Sequence, residues 1–143
     1  MNKQQIGNLV LRLVLGIIFL VHGIAKFQTG LDNTAGWFQS IGLPGALAYI
    51  VAIMEVACGL AVIVGLATRW VSAGLTIILL GAIFTVKLSA GFTGTAGKTG
   101  YEFDLALLAI SVYLTLVGSE GLSMDRWLLR GKKSEGVKEN PSS

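Results

Sequence analysis

Charged residues are sparse in four long stretches of this chain: Ile6 to Phe27, Ala46 to Leu66, Trp70 to Leu88 and Tyr101 to Gly118. Each stretch is about 18 to 22 residues, and a helix rising about 1.5 Å per residue over that length crosses a hydrocarbon layer of about 30 Å. A β-barrel would read as shorter segments of alternating polarity. These runs are nearly continuous, and a helix satisfies its own backbone in lipid. With 143 residues, 53% hydrophobic and 13% charged, the chain is far too apolar for an ordinary soluble domain. The sequence therefore predicts an all-α membrane protein, a bundle of four transmembrane helices.

The basic residues orient the bundle. Lys3, Arg12, Arg69, Arg126, Arg130, Lys132, Lys133 and Lys138 fall at one end of the spans, and Lys26, Lys87 and Lys98 at the other. Eight against three puts both termini in the cytoplasm of a multi-pass plasma-membrane protein. The net charge of +3 follows from this topology and a basic tail, so it calls for no nucleic-acid partner; the lipid bilayer is the partner the tail meets. The first run is long for a signal peptide, and three more follow it. Cys58, the single cysteine, lies inside the second run, which excludes an intramolecular disulfide.

Between the first two spans, Trp37, Phe38 and Ile41 give one apolar side to a short helix capped by Asn33 or Thr34 and stopped by Gly42 and Pro44. It reads as an interfacial helix on the outer face. Only Ala67, Thr68 and Arg69 join the second and third spans, which makes an antiparallel hairpin. Ser89 to Gly100, rich in Gly and Thr, reads as the most flexible ordered part. Ser123 caps a further amphipathic segment whose Trp127, Leu128 and Leu129 lie in the inner headgroup layer. Residues 1–130 thus form the membrane domain, and 131–143 read as a disordered, basic and polar cytoplasmic tail.

In the first span Arg12, Gly16, Phe19, Gly23 and Lys26 recur at steps of three and four, which places them on one helix face with His22 at its edge. Ala48, Ala52, Glu55 and Gly59 do the same in the second, Gly74, Ile78, Gly81 and Thr85 in the third, and Glu102, Ala106, Ala109 and Tyr113 in the fourth. Stripes of small residues are where membrane helices pack, so Arg12, Lys26, Glu55 and Glu102 are expected to point inward. An ionised carboxylate at the depth of Glu55 costs about 3 kcal/mol or more. It calls for a partner, and His22 and Lys26 are the candidates. The resulting polar cluster joins His22 and Lys26 to Glu55 with Glu102 or Asp104.

Glu55 is the residue hardest to explain as an anchor, which makes it the candidate proton carrier, with His22, Lys26 and Glu102 as candidate substrate-binding groups. Each also has a plainer reading as interhelical glue. Lys87, off the small-residue face, reads as snorkelling to the surface, and Arg12 as an inner-face anchor or a binding group. Gly16, Gly23 and Gly59 are structural. One histidine and one cysteine cannot ligate haem on both sides or hold an iron–sulfur cluster, and His22 with Glu55 make a poor zinc site, so no metal centre is expected. The chain has no dinucleotide fingerprint and no phosphate loop.

Several local patterns combine into a resemblance. Arg12 with Leu15-Gly16 and Phe19, His22-Gly23 with Lys26-Phe27, Gly42-Leu43-Pro44, Glu55 with Gly59, Gly65-Leu66 with Thr68-Arg69, "YEFDLALLA" and "GLSMD" together resemble the DoxX family of small four-helix membrane proteins, from about Ile6 to Asp125. The resemblance implies a bacterial or archaeal plasma-membrane protein tied to oxidoreductases, some relatives resembling thiosulfate:quinone oxidoreductase subunits and others linked to tolerance of quinones, catechols or thiol stress. Two functional classes follow. In one, a quinone or catechol enters from lipid, His22 and Lys26 bond its oxygens and Glu55 exchanges protons. No cofactor is held covalently, and the quinone comes from the membrane. In the other, the chain is a non-catalytic membrane subunit that anchors a soluble redox partner protein. A solute path would need a homo-oligomer of such short bundles.

Overall fold

The computed structural model describes residues 1–138 and is all-α apart from one two-rung ladder. Helix α1 spans Lys3–Thr29, α2 Leu31–Ser40, α3 Ala46–Val64 and α4 Thr68–Ala82. A π-helical turn, Ile83–Lys87, and a 3₁₀ turn, Leu88–Ala90, prolong α4. Strands β1, Gly94–Thr95, and β2, Lys98–Thr99, lead into α5, Glu102–Val117, and α6, Met124–Lys138. Among the described residues, three helices are long and apolar enough to cross a membrane: Lys3–Thr29, Ala46–Val64 and the continuous Thr68–Ala90. The 16 residues of α5 fall short of that length.

Local chemistry sets the ends. Asn2 and Gln5 form a capping box at the start of α1, each side chain bonding the other's backbone N–H at 2.8 and 3.1 Å. Asn33, expected to cap α2, instead donates from Nδ2 to the Thr29 carbonyl at 2.8 Å and so closes the end of α1. Helix α2 accordingly begins earlier, at Leu31, behind Gly30. Gly65 ends α3 at φ 76°, where a Cβ would be strained. The Gly- and Thr-rich segment closes into the β1–β2 hairpin, tied down by hydrogen bonds from Tyr101 N to Gly91 O and from Glu102 N to Phe92 O. Ser123 Oγ accepts from Arg126 N at 3.2 Å, as a cap on α6 does. That helix runs to Lys138, so the first part of the segment read as a disordered tail is helical; residues 139–143 lie outside the described residues.

The core joins all four long elements through Leu15 and Phe19 of α1, Val62 of α3, Leu75 and Leu79 of α4, and Leu107 and Leu114 of α5. Helices α1 and α3 face each other along Arg12, Gly16, Gly23 and Ala48, Ala52, Glu55, Gly59, all buried as their spacing predicts. The faces of α4 and α5 differ from expectation. Helix α4 buries Thr68, Ser72, Leu75 and Leu79, and α5 buries Asp104, Leu107, Ser111 and Leu114. The seam between them is leucine packing with a Thr76–Ser111 hydroxyl bond of 2.9 Å rather than a stripe of small residues.

Polar groups gather where α1 begins and α3 and α5 end. Arg12, buried, donates to the carbonyls of Val62 at 3.2 Å, Ile63 at 3.0 Å and Leu122 at 2.9 Å. A guanidinium so placed satisfies the last carbonyls of α3 and complements the negative end of its dipole. Asp125 accepts from Ala67 N at 2.7 Å and Thr68 N at 3.2 Å, doing the converse for the start of α4. Arg12→Met should therefore leave several carbonyls unpaired and cost about 3 kcal/mol of stability, read from unfolding in detergent. A loss below about 1 kcal/mol would mean lipid or water replaces these bonds.

Candidate functional site

Close glycine contacts place the first ion pair. A Cβ at Gly59 would lie 2.8 Å from the Gly16 carbonyl oxygen, and one at Gly23 would lie 3.0 Å from the Val56 nitrogen. With the backbones this near, Lys26, in the last turn of α1, reaches Glu55, the central residue of α3. Lys26 Nζ donates to Glu55 Oε2 at 2.6 Å. The expected basic partner of Glu55 is thus Lys26. His22 is exposed, and its Nδ1 lies 2.7 Å from the Ile18 carbonyl. A carbonyl only accepts, so Nδ1 is the donor in this contact.

A second pair stands across from the first. Lys87 Nζ lies 2.8 Å from Asp104 Oδ2, close enough for an ion pair although off the line of a well-directed hydrogen bond. Lys87, read from the sequence as snorkelling, therefore has a carboxylate partner. The π turn accounts for this: eight residues of regular α-helix would rotate Lys87 about 80° away from Leu79, and the wider turn brings it back toward the buried face. Glu102 is exposed on α5 and does not line the site, whereas Asp104, buried two residues on, does.

Both pairs face one cavity of about 480 Å³, a size typical of small-molecule sites. His22 also lines it, Trp37 and Phe38 of α2 form an aromatic wall, and Phe103 and Leu107 come from α5. A Cβ at Gly81 of the expected small-residue stripe would meet nothing within 4 Å, and Gly81 borders this space, so it makes room there rather than helix contact. Apart from Thr85, the remaining walls are apolar. Such a space suits a flat molecule with an apolar body and polar edges, since each ammonium donates hydrogen bonds and each carboxylate accepts them. Helix α2 is held over the site by a hydrogen bond from the Tyr49 hydroxyl to Asp32 Oδ1. Among the described residues, no group of three or more His, Cys, Asp or Glu side chains could hold a metal ion.

Residues 7–88 match the DoxX family. The chain is 48% identical over 138 residues to "Putative oxidoreductase CatD" of Bacillus subtilis, covering 96% of this chain and 98% of that protein. It is 34% identical to "Uncharacterized membrane protein Rv3486" of Mycobacterium tuberculosis, over 90% of this chain and 85% of the relative. It is 27% identical to "Inner membrane protein YqjF" of Escherichia coli, over 87% and 94%. No solved structure matches the chain at a significant level. Relatives named as membrane proteins and three long apolar helices agree on a multi-pass membrane protein. With more than half of its length matched and a near full-length relative at 48% identity, the chain belongs to the DoxX family.

Proposed function

We propose that the protein is a membrane oxidoreductase, or the membrane subunit of one, that binds a quinone or catechol in the cavity and removes such compounds by redox chemistry. The observation that carries this reading is the Lys26–Glu55 pair facing an apolar cavity at the middle of α3. Charge at that depth is costly and has no anchoring role, whereas a ring with polar oxygens and an apolar body would use it. The ammonium of Lys26 bonds a ring oxygen, and Glu55 gives or takes the proton. A quinone accepts two electrons and two protons to become a hydroquinone, and two thiols closing to a disulfide supply both. The name of the Bacillus subtilis relative supports the oxidoreductase part of the reading. The test is quinone absorbance followed with purified protein and a small thiol or catechol donor. Protein-dependent, saturable loss of quinone is expected. No protein-dependent rate with either donor would favour a non-catalytic subunit that anchors a soluble redox enzyme.

In this account α5 is the fourth crossing. Its 16 residues rise about 24 Å, and it lies antiparallel to α4, with Lys87 beside Asp104 at one end and Arg69 beside Thr115 at the other. Both termini then face the cytoplasm and α2 lies at the outer interface with Trp37 in the aromatic belt. A reporter fused after Ser143 should be active only in its cytoplasmic form. Activity confined to the outside of the cell would reverse the topology.

A further inference from the structure

The two ion pairs belong to two copies of one design. In the first hairpin, Arg12 donates to the closing carbonyls of α3, whose following Gly65 has φ 76° and would press a Cβ to 2.7 Å from Arg12 Nη2. In the second, Arg69 Nε donates to the Thr115 carbonyl at 3.2 Å near the end of α5, whose following Gly118 has φ 77° and would press a Cβ to 2.9 Å from Arg69 Cγ. Away from each arginine a lysine meets a carboxylate: Lys26 in the last turn of α1 with Glu55 at the centre of α3, and Lys87 in the π turn after α4 with Asp104 in the first turn of α5. The lysines are both 25% exposed and the carboxylates both 8%.

The spacings differ by a constant amount. Arg12 to Lys26 is a step of 14 residues and Glu55 to Gly65 a step of 10, against 18 for Arg69 to Lys87 and 14 for Asp104 to Gly118. Both separations in the second hairpin are greater by the same four residues, about one helical turn. Asn8 Nδ2, donating to Gly118 O at 2.9 Å, joins the arginine ends of the two hairpins at one pole, so both hairpins run in the same sense. The cavity lies between their lysine ends.

We infer that Lys87 and Asp104 are a second ligand half-site, equivalent to Lys26 and Glu55, and that the cavity takes a ring with oxygen functions at opposite ends. This rests on reading the cavity as a quinone or catechol site. Each lysine–carboxylate pair offers one donor and one acceptor, which together match a single phenolic hydroxyl. The two pairs stand on different walls, one on α1 and α3, the other on the π turn and α5. A para-dihydroxy ring presents one oxygen in each of two opposite directions. An ortho-dihydroxy ring has its oxygens on one edge and reaches one.

The experiment measures equilibrium binding of hydroquinone, catechol and phenol to the purified full-length protein in nanodiscs. Hydroquinone should bind about tenfold more tightly than catechol, the effect of one added charge-assisted hydrogen-bonding pair. Neutralising the second pair together, Lys87→Met with Asp104→Asn, should erase that advantage. Catechol binding as tightly as hydroquinone to the unaltered protein overturns the inference and needs no variant. So does an advantage that survives the double change. Either result leaves the quinone or catechol reading standing, whereas no saturable binding of any of the three removes the reading and the inference together.

Discussion

Glu55→Gln is expected to give a folded protein whose quinone-linked turnover falls by about a hundredfold or more, the loss typical of removing a positioned acid–base group. The amide nearly preserves the shape of the carboxylate, and its oxygen still accepts from Lys26 Nζ, now 2.6 Å from Oε2. What it loses is the ability to take up and release a proton. If Glu55 were only the counter-ion of Lys26, the change would chiefly cost stability, because a partly buried ammonium would be left uncompensated, and adding Lys26→Met would recover it. The account predicts instead that the double change stays inactive. Full turnover in Glu55→Gln, or restored turnover in the double variant, would remove Glu55 from proton handling.

The second large effect concerns the contact that brings the pair together. Gly59→Leu should lower stability by about 3 kcal/mol or more, because its Cβ would sit 2.8 Å from the Gly16 carbonyl and 2.9 Å from the Leu20 nitrogen. Backbone atoms cannot rotate aside, so α1 and α3 must separate. The control is Gly7→Leu, likewise within a helix, α1, but with nothing within 4 Å of the added Cβ, which should be neutral or slightly stabilising through better helix propensity. Gly97 is a poorer control than its loop position suggests, since its φ of 83° strains any side chain. Folded yield and unfolding temperature in detergent decide the matter. Equal stability of the Gly59 and Gly7 variants would mean that α1 and α3 do not meet here.

The helices and the α1–α3 face were legible because their signals are local. Apolar runs mark the spans, and Gly16, Gly23, Ala52, Glu55 and Gly59 repeat at a spacing that one regular helix turns into one face. The other half of the site was harder to read. Glu102 and Asp104 are two residues apart and so face about 200° apart on a helix; following the alanines at 106 and 109 selects the side of Glu102, while packing uses the side of Asp104, Leu107 and Ser111. Lys87 was obscured by the π turn, which no residue pattern announced. Asn8 carried no signal, since its partners, Gly118 and Glu120, lie more than a hundred residues away. The repeat was hidden for a related reason. It lives in four residues per hairpin with unequal spacings, not in similar stretches of sequence.

The proposed function requires a quinone to bind in the space between the two ion pairs. The most direct measurement is photolabelling of the protein in nanodiscs with an azido-quinone, followed by peptide mapping with and without excess unlabelled quinone. Competed labelling is expected on the cavity walls, at Trp37 and Phe38, at Ile78 and Leu79, at Thr85 to Lys87 and at Phe103 and Asp104. Labelling that excess quinone fails to reduce, spread over lipid-facing residues such as Ile17, Ile53 and Leu116, would contradict it.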